Sequence, residues 1–139
     1  MDARLMFWPA ATMVALTFVV WVRMYVVRIG EMRRERIDPQ RVASSAQAAA
    51  LLRDTRASDN FRNLFELPVL FYLAVGIMLR SGTATLTLLI LAWSFVLLRI
   101  AHSAIHCSYN RVMHRFSVYF ASALVLWGLW ALLIAGALR

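Results

Sequence analysis

The chain has 139 residues, 62% of them apolar, and a mean hydropathy of +0.67. A soluble domain this short buries only part of the surface its chain exposes, and these apolar residues come in long blocks, so the composition calls for lipid as the solvent. The formal charge of +8 comes from fifteen arginines and no lysine; they fall between the apolar blocks, where membrane topology accounts for them and nucleic-acid binding is not called for.

The first block is uncharged over residues 5–22 and extends past Arg23 to residue 27. Val22-Arg23-Met24-Tyr25 follows it in place of a small-x-small cleavage site, so it reads as a retained helix with Trp8 and Trp21 as interfacial anchors. Residues 28–60 form the single long polar stretch, mixing seven arginines with Glu31, Glu35, Asp38, Asp54 and Asp59. Asp38-Pro39 predicts a turn and helix start, and the alanines of residues 43–52 predict a short helix.

The second block, residues 61–79, carries Arg62, Asn63 and Glu66 in its first third. A turn around Gly82 leads into the third, residues 83–106, which ends in a polar run from Arg99 to His106. The fourth, residues 116–138, carries no charge. Each block approaches or exceeds the roughly 20 residues needed to cross a bilayer. The sequence therefore predicts an all-α, integral membrane four-helix bundle in one domain, with a cytoplasmic loop over 28–60.

Seven arginines lie in the first connection and Arg111 and Arg115 in the third, against Arg4, Arg80 and Arg139 on the opposite side. The positive-inside rule places both long connections in the cytoplasm and both termini outside it. The polar start of the second span and the polar end of the third then meet at one membrane depth.

At about 100° per residue, Arg56, Asp59, Asn63 and Glu66 share one helical stripe, and Arg99, His102, His106 and Asn110 share another. A charge within the bilayer costs about 2.5–3.5 kcal/mol, so the stripes should face protein, with Glu66 paired to Arg62 or Arg99. The plain structural role for these residues is helix glue. The ionisable ones are also candidates for a functional site. His102 and His106, at i and i+4, lack a third ligand at suitable spacing, so no metal is expected; a metal or haem centre on the two histidines is the weakest of the alternatives. The lone Cys107 leaves no disulfide framework, and no phosphate loop, nucleophile elbow or carboxylate pair is present.

The run Asp59-Asn60-Phe61-Arg62-Asn63-Leu64-Phe65-Glu66-Leu67-Pro68, with Arg99-Ile100-Ala101-His102-Ser103 and Tyr109-Asn110-Arg111 further on, resembles the second- and third-helix signatures of the MAPEG superfamily, the membrane-associated proteins in eicosanoid and glutathione metabolism, in its bacterial form. The resemblance implies a homotrimer of four-helix subunits in the bacterial inner membrane. It implies glutathione as co-substrate between neighbouring subunits near the cytoplasmic face, and transferase or peroxidase chemistry on lipophilic electrophiles.

Asn63 and Glu66 match the family's Asn-x-x-Glu, implied to hold the ligand's polar groups, and Arg99 matches its third-helix arginine, implied to stabilise the thiolate or a carboxylate. The arginine expected four residues before the asparagine is replaced by Asp59, leaving Arg56 or Arg62 for the carboxylates. His102 and His106 stand where eicosanoid-type members have tyrosines. The alternative function is a non-catalytic accessory subunit that binds lipid or a partner complex.

Overall fold

The computed structural model describes residues 2–138; Arg139, counted above on the opposite side, lies outside them. A 3-10 turn, Ala3–Met6, leads into α1 (Phe7–Arg34). A second 3-10 turn, Pro39–Val42, precedes α2 (Ser45–Leu51), α3 (Arg56–Asn63), α4 (Leu67–Ser81), α5 (Leu86–Cys107) and α6 (Val112–Ala137). Over the described residues the protein is all-α, with four helical stretches long and apolar enough to cross a membrane: Ala3–Arg34, Arg56–Ser81, Leu86–Cys107 and Val112–Ala137.

Helix starts follow local chemistry. The Asp38 carboxylate accepts from the Gln40 amide at 2.9 Å with Pro39 behind it. Ser44 and Gln47 form a reciprocal capping box at the head of α2, and the Thr85 hydroxyl caps α5, each meeting an amide that the first turn leaves without a partner. Gly82 closes α4 at φ 70°, a left-handed conformation that glycine adopts without strain.

The bundle is apolar outside and polar inside at one end. Phe18, Leu97 and Met113 present large apolar surfaces outward, while the interior holds Phe71 stacked on Phe95 with ring centroids 4.7 Å apart. Ala74 and Ala92, both fully buried, add small side chains to that interior, and small residues let helices approach closely where lipid offers no hydrophobic drive to association.

The sequence reading places an uninterrupted helix over residues 61–79; the structure breaks it at Leu64–Glu66. Pro68 is the physical reason. It has no N–H to donate, and its ring collides with the carbonyl four residues back. The break separates α3 from α4 and frees the Asn63 carbonyl from helical bonding.

Both arginine-rich connections lie at the same end of the bundle. Arg23 Nη2 donates to the Cys107 carbonyl at 2.7 Å, and Arg56 Nη1 donates to the Ser108 carbonyl. Glu31, only 6% exposed, accepts from the backbone amides of Arg53 at 2.6 Å and Asp54 at 3.3 Å. That carboxylate ties the end of the first connection to α1. Asp54 also takes Arg56 Nη2 at 2.8 Å, and this hydrogen bond from the guanidinium holds the Asp54 carboxyl below the usual carboxylate range.

Three outcomes are expected. Phe71→Ala should lower resistance to unfolding by about 3 kcal/mol, read as a detergent-denaturation midpoint, because it opens a cavity in a filled layer. Glu31→Ala leaves two amides unpaired, worth about 1–3 kcal/mol; limited trypsin digestion should then cut after Arg53 faster than in the parent. The Asp54–Arg56 pair is open to solvent, which screens it, so its contribution to stability is small. Because its folded pKa lies below the unfolded one, that contribution is present above the ordinary carboxylate range and disappears as pH falls through the folded value. Asp54→Asn should therefore flatten the decline of Tm in this acidic range and lower Tm slightly at neutral pH.

Candidate functional site

On α5, the inward face carries Arg99, His102, Ser103 and His106, all buried, with Arg99 fully so. The spacing of this stripe is the one read from the sequence. Asn110, expected to continue it, lies past the end of α5 in the tight turn before α6 at φ 49°, a left-handed conformation that asparagine tolerates. There its side-chain oxygen accepts from Arg115 Nη1 at 2.8 Å.

Arg99 is the centre of the cluster. Its Nη2 donates to the Asn63 carbonyl at 2.6 Å, the acceptor freed by the break ahead of Pro68. Its guanidinium carbon lies 5.5 Å from the centroid of the Tyr119 ring, within cation–π range. Nε and Nη1 have no hydrogen-bond partner among the described residues. A buried cation with two undirected donors is costly unless an acceptor reaches it.

Glu66 differs from the expected pairing. Among the described residues it makes no ion pair with Arg62 or Arg99; it is exposed and accepts from the Tyr119 hydroxyl at 3.3 Å. The helix break is the reason, because it takes Glu66 off the stripe shared by Arg56, Asp59 and Asn63. Tyr119 thus stands between the cation and the carboxylate, its ring under one and its hydroxyl on the other.

The histidines are held by α6. His102 Nδ1 lies 3.2 Å from the Arg115 carbonyl, which makes that nitrogen the donor and leaves Nε2 as a lone pair without a partner. His106 Nε2 accepts from Arg115 Nη1 at 3.0 Å, leaving Nδ1–H without a partner among the described residues. Among the described residues no three His, Cys, Asp or Glu side chains group as metal ligands.

Asn63, Glu66, His102, Arg115 and Tyr119 line one pocket of about 160 Å³, walled on its apolar side by Val112 and Phe116. The other four sequence candidates are outside its lining: Arg99 and His106 are buried behind it, and Arg56 and Arg62 lie elsewhere. Arg56 is engaged by Asp54 and Ser108, and Arg62 borders a separate cavity beneath the first connection.

Sequence reasoning missed Tyr119, Arg115 and Asn60. Tyr119 follows Arg115 by four residues, so both occupy one face of α6, a spacing visible in the sequence. Asn60 is fully buried, with Nδ2 3.5 Å from Cys107 Sγ and Oδ1 accepting from Ser103 at 3.4 Å. It sits four residues after Arg56 and three before Asn63, so the arginine-to-asparagine spacing sought around Asn63 is met one turn earlier.

No curated protein and no solved structure gives a significant match. The MAPEG family model matches residues 6–135, which takes in nearly all of the four helical stretches and every residue of the cluster. The chain therefore belongs to the MAPEG family, a family of membrane proteins of glutathione and eicosanoid metabolism.

Proposed function

We propose that the protein binds glutathione in the pocket between the α3–α4 break, α5 and α6, and uses its thiolate against lipophilic electrophiles as a transferase or peroxidase. The observation that carries this reading is the fully buried Arg99 guanidinium, which touches the pocket residues Asn63 and Tyr119 and whose Nε and Nη1 have no partner among the described residues. Glutathione supplies acceptors of the matching kind, two carboxylates and a thiol that becomes a thiolate.

Arg99 stabilises the anion, since a neighbouring cation favours thiolate over thiol. Glu66 takes the ammonium of the γ-glutamyl group, Asn63 and Arg115 border its polar backbone, and the His102 lone pair accepts an N–H. His106 supports this wall through Arg115. In the transfer step the thiol proton leaves to water and the thiolate forms a C–S bond with the electrophilic carbon. The displaced group departs with its bonding pair. In the peroxidase variant, two glutathiones reduce a hydroperoxide to the alcohol and water and leave as the disulfide.

A pocket of about 160 Å³ is smaller than the roughly 300–1,000 Å³ of ordinary ligand sites. A tripeptide extends beyond it, past the exposed Glu66, Val112 and Phe116. A neighbouring copy in a homotrimer completes the enclosure, as the family resemblance implies. The arginine-rich end faces the cytoplasm of a bacterial inner membrane, with both termini outside, in keeping with the charge asymmetry.

Titration calorimetry on detergent-purified protein is expected to detect glutathione binding. Glu66→Gln, at an exposed position, should weaken it about tenfold with helicity and Tm kept, the loss of one charge-assisted hydrogen bond. Arg99→Lys, which keeps the charge but not the planar fork, should weaken it further. Absence of binding at millimolar glutathione, with a partner protein co-purifying, would instead support the accessory-subunit role.

A further inference from the structure

Two cavities follow one another in a seam along α1, the first against α3 and the second against the end of α3, the helix break and α4. The one at the arginine-rich end measures about 280 Å³ and is lined by Arg28, Asp54, Ser58, Asp59 and Arg62 among others, with the first connection closing over it. The other, about 450 Å³, is walled by Val14, Phe18, Trp21, Phe61, Phe65 and Tyr72. On α1, Val14, Phe18, Trp21 and Arg28 fall on one face at helical spacing. The seam is thus apolar along its length and charged at its end.

The depths match one leaflet. Val14 to Trp21 is seven residues, about 10 Å at 1.5 Å per residue, against about 15 Å for half a hydrocarbon core. Trp21 stacks on Phe18 and meets Tyr25 edge-on at 5.1 Å, an aromatic group of the kind that marks the headgroup boundary. Arg28 stands two turns beyond it, at headgroup level.

The charges at that end are unevenly committed. Asp54 is taken by Arg56. Arg28 makes no ion pair among the described residues and gives one N–H to the Val42 carbonyl at 3.0 Å. Arg62 makes neither an ion pair nor a side-chain hydrogen bond among them. Asp59 Oδ2 accepts only from the Thr55 hydroxyl at 2.9 Å. Two guanidinium groups and one carboxylate therefore remain to be matched.

We propose that this seam is a phospholipid site selective for an ethanolamine headgroup: Arg28 and Arg62 take the phosphate, Asp59 takes the primary ammonium, and the aromatic groove takes the first part of an acyl chain. Arginine suits phosphate because its planar fork donates two parallel hydrogen bonds. A glycerol headgroup offers Asp59 no cation, and a choline headgroup offers no N–H. Glutathione carries both signs of charge but has nothing to fill the apolar groove. The site shares no lining residue with the pocket of Asn63, Glu66 and His102 and stands without the glutathione reading.

Native mass spectrometry of the detergent-purified protein, given equal phosphatidylethanolamine, phosphatidylcholine and phosphatidylglycerol of one acyl composition, tests the assignment. Phosphatidylethanolamine is expected to dominate the bound population. Arg62→Gln, at an exposed side chain, should lower occupancy by all three lipids about tenfold through loss of a charge-assisted contact to phosphate. Asp59→Asn should retain binding but abolish the preference over phosphatidylcholine. Equal occupancy by the three lipids, full retention in Arg62→Gln, or displacement of the lipid by millimolar glutathione would each overturn the proposal.

Discussion

The structure turns on one hydrogen bond, from Arg99 Nη2 to the Asn63 carbonyl at 2.6 Å. A proline at position 68 prevents the second hydrophobic stretch from running as one helix. In a bilayer an unsatisfied backbone carbonyl costs several kcal/mol, so a broken helix persists only where protein supplies the missing donor. Arg99 supplies it. The same contact explains why a guanidinium can be fully buried here, since its alternative is lipid.

The surroundings follow from that choice. Once Arg99 is inside, lipid cannot approach this part of the bundle, and the neighbouring helices must present groups compatible with a cation. Tyr119 offers a ring face and hands its hydroxyl to Glu66. His102 and His106 are oriented by opposite ends of Arg115, one by its carbonyl and one by its guanidinium. A second line of contacts, Arg56 to Ser108 and Asn60 to Ser103 and Cys107, fastens α3 to α5 toward the end of the bundle. The exterior is apolar along the bundle and buried polar groups gather inside at one end, as expected where the solvent is hydrocarbon.

The two cavities at the arginine-rich end divide the charged residues between them. Glu66 and Arg115 line the one in front of Arg99, while Arg28 and Arg62 border the cavity under the first connection. Glu31 holds that connection by its backbone amides, so the cover of the second cavity is set by α1. An arginine-rich membrane face is thus more than a topology signal, because some of its charges are neutralised within the chain and others are not.

The sequence by itself determined the class of protein, the number of spans and the end of the bundle where polar groups gather, because hydropathy and arginine placement are properties of composition and order. It also determined the inward stripe of Arg99, His102 and His106, since 3.6-residue periodicity needs no tertiary information. Only the tertiary structure decided what those residues touch. Whether Glu66 meets Arg99 depends on the helix axis staying continuous through residue 66, and Pro68 ends that continuity at a point that stripe geometry does not register. Tyr119 lay in an uncharged block that reads as lipid-facing, and it became the group between cation and carboxylate because the turn at Asn110 sets α6 against α5. Asn60 shows the same limit: its place three residues before Asn63 was legible, but its burial against Ser103 and Cys107 required the packed helices.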